Sequence, residues 1–329
     1  MKPPSLSLLM NRWLRLSLLG GCLATLATIG LVDAAPLVVH TNQVPAEWVV
    51  QHRGRTVFRY AFAPGRYKPY VKELCTVEGR NLLRDAPSDH LHHHGLMYAI
   101  RLNGLNFWEE LSGSGVQKPV ETIASSPVVH DDQVSHVTLV QTLHWLAPED
   151  AFLPDTLGKA LLVEQRLLTV SVDEARHEVA VRWRADFQVG RATNEVTLGG
   201  ANYFGLGARF PTELDPVARH FTADGTLDLS GNRQDVSRHP WAAVAFDQAG
   251  SQATFAILGH PRNRAGAPWF FSMKTPFAYL SATERLDQEP RTLLPGERFT
   301  LNYLVIATAT VATRESLEAR HQRWVQQEP

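Results

Sequence analysis

The chain has 329 residues, 44% of them hydrophobic, and a formal net charge of −1. That content suffices for a large core, and the near-zero charge supplies no overall field to draw the chain to nucleic acid or an acidic membrane surface. Only two cysteines are present, which excludes a disulfide-built scaffold.

The N-terminus reads as a leader. Lys2, Arg12 and Arg15 form a basic region, residues 16–32 are apolar and uncharged, and Val32-Asp33-Ala34 offers a cleavage site. This layout predicts a secretory signal peptide over residues 1–34, with the mature chain exported to the periplasm or beyond the cell. Leu19-Gly20-Gly21-Cys22 resembles a lipobox, but the apolar run continues past Cys22 instead of turning polar. An uncleaved anchor is a third reading. After cleavage Cys75 is the one remaining cysteine. The longest later apolar run, residues 301–312, is short and carries Asn302, so no membrane span is expected in the mature chain.

Residues 35–329 read as one domain of strands. Residues 47–51 and 56–62 flank Arg53-Gly54-Arg55 as a hairpin. Residues 69–77 suggest a short strand. Residues 95–102 run into Asn103-Gly104, a two-residue turn signal, and return through Leu105-Asn106-Phe107-Trp108. Residues 136–146 alternate, with Val137, Leu139 and Gln141 on one side and Thr138, Val140 and Thr142 on the other. Residues 148–158 read as a surface loop. Long strands follow at 160–172 and 177–187, then shorter ones at 205–210, 242–246, 254–258 and 299–307. Residues 313–327 alone read as a helix, capped by Thr313. Many closely spaced strands without βαβ alternation predict an all-β fold, an antiparallel β-sandwich with a short C-terminal helix.

Four histidines fall in five residues, at His90, His92, His93 and His94, led by Asp89. Imidazole exchanges protons near neutral pH and, when neutral, binds Zn, Cu, Fe or Ni. In an extended segment His90, His92 and His94 share one face and His93 takes the other. Metal ligation, metal-free acid/base chemistry and a polar loop supporting the next strand all remain open. Glu164 and Arg166 lie two apart on an apolar strand. They read either as an outward ion pair or as a carboxylate with an arginine that fixes a substrate. Trp108 and four other tryptophans are core residues or sugar-stacking platforms. His260 stands alone in a loop. No nucleophile elbow, zinc-protease helix or phosphate loop is present.

The segment Asp89-His90-Leu91-His92-His93-His94-Gly95-Leu96, followed by Asn103-Gly104-Leu105-Asn106-Phe107-Trp108, resembles the DUF6807 family, whose pattern reads roughly DHPHHRGL and then NGVDFW. The resemblance continues through Leu162-Val163-Glu164-Gln165-Arg166, Gly205-Leu206-Gly207-Ala208-Arg209, His260-Pro261-Arg262-Asn263 and Leu294-Pro295-Gly296-Glu297, in order over nearly the whole mature chain. Leu91, His94, Asn106 and Arg264 depart from it, standing where the family has proline, arginine, aspartate and proline. The family carries the label methane oxygenase, PmoA-like. The methane monooxygenase subunit of that name is a multi-span membrane protein, which this mature chain is not. The family is otherwise similar to the galactose-mutarotase-like supersandwich proteins, most of which handle sugars.

The resemblance implies a concave sheet face lined by His, Arg, Glu and Trp, and does not fix the reaction. The chemistry these residue types suit is acid/base work on a small or oligomeric sugar: epimerisation, elimination or hydrolysis. His90, His92, His93, Glu164 and His260 would be catalytic. Arg166, Arg209 and Trp108 would bind substrate. A divalent metal held by Asp89, His90, His92 and His93 would be an alternative polarising group. Two other functions compete: a non-catalytic carbohydrate-binding module, and a Cu- or Fe-dependent oxidoreductase. If one site exists, at least two of Glu164, Arg166, Arg209 and His260 should line the same pocket as the histidines. Alanine at His92 or His93 should then remove activity or metal binding with little change in melting temperature.

Overall fold

The computed structural model describes residues 37–44, 46–130, 134–248, 250–263, 266 and 268–327. The leader, its lipobox alternative and Arg264 lie outside them. Within the described residues two large antiparallel sheets face each other. The first runs, edge to edge, Val38–Gln43, Ala46–His52, Arg55–Ala61, Tyr70–Leu74, Leu96–Ala99, Gly205–Arg209, Tyr279–Thr283, Trp269–Met273 and Gln234–Arg238. The second runs Gly225–Thr226, Ala218–Thr222, Trp241–Gln248, Ser251–Gly259, Arg298–Thr308, Glu178–Val189, Leu162–Asp173, Val134–Leu146 and Val116–Ala124, and Val128–His130 also pairs with Val134–Leu146. A smaller sheet joins Arg291–Leu293, Val196–Gly199, Arg101–Leu102 and Leu105–Asn106. The antiparallel sandwich expected from the strand pattern is the fold.

Period-two alternation builds it. Val137, Leu139 and Gln141 are buried, and Thr138, Val140 and Thr142 are half-buried on the other side. Trp48, Phe58 and Tyr60 of the first sheet share one core with Leu139, Leu168 and Trp183 of the second. At about 25 cal/mol per Å² of apolar surface, this core is the main stabilising term. Both two-residue turns bend as their residues require: Arg53 and Gly54 have φ of 49° and 74°, Asn103 and Gly104 of 52° and 82°. Positive φ at both central positions matches the right-handed strand twist.

The helix Arg314–Gln327 covers the outer face of the second sheet, packing Leu317 and Trp324 on Trp241, Leu258 and Ile306. Thr313 caps it. Its Oγ1 accepts from the Ser316 N–H at 3.1 Å, and Ser316 Oγ accepts from the Thr313 N–H at 3.1 Å. The surface loop expected at 148–158 carries two short 3-10 turns, Pro148–Asp150 and Leu157–Lys159.

Candidate active site

The histidine segment is a closed loop, not an extended strand. Its ends are tied by Ala86 N–H to His93 O at 2.9 Å and Gly95 N–H to Arg84 O at 3.0 Å. Two internal turns, His90 N–H to Pro87 O and His93 N–H to His90 O, both 2.9 Å, break the alternation. As a result His90, His92 and His93 gather on one side, with ring centroids 4.6 to 5.7 Å apart. His94 turns inward, where the extended reading had placed it with His90 and His92. Gly95 makes the approach feasible: its φ is 32°, and a Cβ there would sit 2.1 Å from Val71 O.

His94 anchors the loop from beneath. It bonds Asp85 at 2.7 Å through Nδ1 and Glu110 at 3.0 Å through Nε2, and its ring stacks on Tyr70 at 4.2 Å. Lys68 Nζ donates to Glu110 at 2.9 Å and to Trp108 O at 2.8 Å. Burial works against charge in this network, but the two carboxylates win and raise the His94 pKa. Burial would lift Glu110, yet His94 and Lys68 hold it down at about 2. The histidine that stands here in place of the family's arginine is therefore held in an internal network that favours its charged form, and it does not face the cleft.

The three outward imidazoles line a cleft of about 330 Å³. Glu109 and Gln234 supply further polar groups, and Tyr203, Phe271, Phe277 and Tyr279 supply aromatic walls. Glu109 is placed by Asn106, whose Oδ1 accepts from the N–H groups of Trp108 at 2.8 Å and Glu109 at 3.2 Å. Aspartate could accept the same bonds, so the departure at 106 preserves the turn. The strand Gly205–Arg209 backs the cleft. Gly207 leaves room for Tyr279, whose hydroxyl would lie 1.7 Å from a Cβ there.

Burial, then the neighbouring His92, His90 and Arg209, push His93 down to about 3. Burial and then Lys68 and His90 also lower His92. His93 is thus a neutral imidazole at neutral pH, and the burial that keeps it neutral makes it a weak base until a bound group or a nearby carboxylate favours its protonated form. His220, fully buried with neither ring nitrogen bonded among the described residues, is likewise driven to about 3, by burial and then Lys274. Both lie below the ordinary value of 6.5, so on acidification the unfolded chain takes up protons first. Their stabilising contribution is complete above about pH 6.5 and is lost as pH falls toward 3, at up to about 1.4 kcal/mol per pH unit for each ring. Raised His94 has the opposite sign: its contribution fades as pH climbs through its folded value. The melting temperature is expected to drop between about pH 7 and about pH 5, and His220→Leu to flatten that drop. A profile equally steep in both proteins would contradict the neutral buried state of His220.

Several sequence expectations are corrected. Glu164 and Arg166 are wholly buried between the sheets, not in the cleft. Arg166 bonds Glu164 at 2.6 and 2.9 Å, Tyr60 Oη at 3.0 Å, Pro69 O at 3.2 Å and Gln117 Oε1 at 3.2 Å. Trp145 Nε1 donates to Glu164 at 2.9 Å. His260 lies under the C-terminal helix, its ring 5.4 Å from Trp324. Trp108 is fully buried and stacks on Phe204 at 4.7 Å, so it backs the aromatic wall and has no open face on which a sugar ring could stack. Arg209 alone of the four distant residues reaches the site. It sits behind the lining, with its guanidinium 3.3 Å from the Phe277 ring centre and 3.4 Å from Asp89. The expectation that two of the four line the cleft fails.

The metal set read from Asp89, His90, His92 and His93 is not assembled either. His90 and His93 stack face to face at 4.6 Å, which keeps their nitrogen lone pairs from converging. Among the described residues no group of three or more His, Cys, Asp or Glu side chains is placed to hold a metal ion.

Sequence reasoning missed Glu109 and the four aromatic walls. Trp108-Glu109-Glu110 follows a recognised turn and could have flagged the carboxylate. Phe271 and Tyr279 come from strands the pattern did not reveal, and Tyr203 and Phe277 from the turn and the bend that lead into Gly205–Arg209 and Tyr279–Thr283.

A family model described as a family of unknown function, DUF6807, matches residues 47–322. No curated protein matches the chain. Among solved structures it is similar to the GH36 alpha-galactosidase AgaB from Geobacillus stearothermophilus, at 12% identity and a TM-score of 0.47, over 83% of this chain and 41% of that one. It is also similar to the galactosidase domain of the alpha-galactosidase-sucrose kinase AgaSK, at 12% identity and 0.45, over 83% and 42%. The alpha-galactosidase from Lactobacillus brevis aligns at 11% identity and 0.47, over 83% and 40%. The chain spans about two fifths of the length of each of these proteins.

Proposed function

The chain belongs to the DUF6807 family, and from that premise we propose that it is an exported enzyme that moves protons on a sugar bound in the histidine cleft. One observation carries the reading: a neutral imidazole, His93, and a carboxylate, Glu109, line the same aromatic-walled cleft. A sugar ring has apolar C–H faces and a hydroxyl edge. Tyr203, Phe271, Phe277 and Tyr279 suit the faces, and Gln234, His90 and His92 suit the edge. His93 serves as base, with Glu109 as its carboxylate partner in the place first given to Glu164. Epimerisation, elimination and hydrolysis all need such a pair.

The test is to incubate the purified chain with neutral and acidic mono- and oligosaccharides and follow them by NMR. At least one sugar should change, and Glu109→Gln should stop the change. Binding that proceeds without turnover and survives changes at His92 and His93 would favour a carbohydrate-binding module instead. Absence of both binding and turnover across the panel would sink the proposal.

Export is part of the proposal and rests on the leader sequence. Protein recovered from the exported fraction is expected to begin at or near Ala35 by mass spectrometry. A lipid-modified N-terminus at Cys22 would overturn this cleavage.

A further inference from the structure

We propose that the ligand of the cleft carries a carboxylate, and that Arg209 holds it. The inference rests on the carbohydrate reading above and narrows it to acidic sugars. Two arginines are buried in this protein in contrasting ways. Arg166 directs every N–H at an acceptor among Glu164, Gln117, Tyr60 and Pro69. Arg209 is just 3% exposed, yet its polar contact is one distant carboxylate, Asp89 at 3.4 Å. Its Nε and Nη1 are buried and find no hydrogen-bond partner among the described residues. A guanidinium taken from water with one long ion pair is expensive to bury, and buried donors of this kind are normally bonded, so they point to an acceptor that binds here.

The neighbours share that condition. Trp108 Nε1, Tyr279 Oη and His93 Nδ1 are also buried with no partner among the described residues. His93 lies 5.8 Å from the Tyr279 ring and 6.1 Å from the Trp108 ring. Arginine and indole N–H groups only donate, so the partner they lack is an acceptor. Phe277 covers one face of the Arg209 guanidinium at 3.3 Å, which leaves the edge for in-plane oxygens. A planar carboxylate matches that edge with two parallel bonds.

Asp89 occupies the approach. Its side chain is 47% exposed on the histidine loop, 3.1 Å from His90 and 3.4 Å from Arg209. It is a loosely held carboxylate where a ligand carboxylate would sit, and it can swing into water when displaced. Asp215 also faces Arg209, with Arg84 nearby. Once Asp89 is displaced, two guanidiniums and one carboxylate leave a single net positive charge, which favours a singly charged ligand over a dianionic phosphate.

Calorimetry on the purified full chain tests this with glucuronate, galacturonate and their oligomers against glucose, galactose and theirs. Acidic sugars should bind about tenfold more tightly or better. Arg209→Met should remove that advantage, and Asp89→Asn should widen it by removing the competing carboxylate. If Arg209→Met does not fold, Arg209→Lys and Asp89→Asn decide. Neutral sugars binding as well as acidic ones would overturn the acidic-sugar assignment and leave the carbohydrate reading standing. An advantage unmoved by Arg209→Lys and Asp89→Asn would also overturn it. Acetate or phosphate binding as tightly as the uronates would refute a sugar-specific role. No binding by any sugar would remove both readings.

Discussion

Arg166→Ala is expected to unfold the protein, or bring it close to unfolding, instead of selectively abolishing activity. Arg166 and Glu164 are both fully buried, and the guanidinium also lies over the Trp183 ring at 4.6 Å. Deleting the arginine leaves Glu164 between the sheets without its cation, with Trp145 Nε1 as its remaining donor among these bonds. It also strips Tyr60, Gln117 and the Pro69 carbonyl of a bonded partner. Breaking a buried pair from one side costs about 3–5 kcal/mol, against a total stability of about 5–15 kcal/mol. Urea denaturation should show the loss as a lower midpoint. Replacing both residues by methionine should restore part of it, because no uncompensated charge remains. If Arg166→Ala melts within a degree or two of the parent while activity vanishes, the pair belongs to the chemistry and its assignment to the core is wrong.

The pair also illustrates what a sequence can show. Glu164 and Arg166, two apart, are legible as sharing one face of a strand. Whether that face meets water, a ligand or a second sheet depends on Tyr60, Pro69 and Gln117, between 49 and 106 positions away. The long strands and both positive-φ turns were readable because their signals are local: alternation over a dozen residues, and glycine where φ must be positive. The histidine cluster was visible as a candidate site for the same reason. Its orientation was not. Two backbone turns within residues 87–93 override the strand period, so His93 joins His90 and His92 while His94 turns away. The far wall was least legible. Trp269–Met273 and Tyr279–Thr283 are five-residue strands buried along most of their length, so neither alternation nor helical periodicity marks them. Yet they bring Phe271 and Tyr279 to the cleft.

The largest effect on activity is expected at Glu109 and His93. A positioned acid or base contributes about 10²–10⁴-fold to rate. Glu109→Gln keeps the size and the backbone bonds to Asn106 while removing the charge, so kcat/KM should fall within that range. The melting temperature should shift little, because the Glu109 side chain lines the cleft and is half-buried. His93 needs a different substitution from the alanine first envisaged. It is 6% exposed and packs against Trp108, Phe277 and Tyr279, so alanine would open a cavity and lower stability as well as activity. His93→Gln retains most of the volume and lacks a base. Since burial holds His93 near 3, the imidazole stays unprotonated through the neutral range, and the acid limb of the pH–rate profile should not follow an ordinary histidine near 6.5. A limb at that value which disappears in His92→Gln but persists in His93→Gln would transfer the role of base to His92. Full activity in both Glu109→Gln and His93→Gln would remove proton transfer from this cleft altogether.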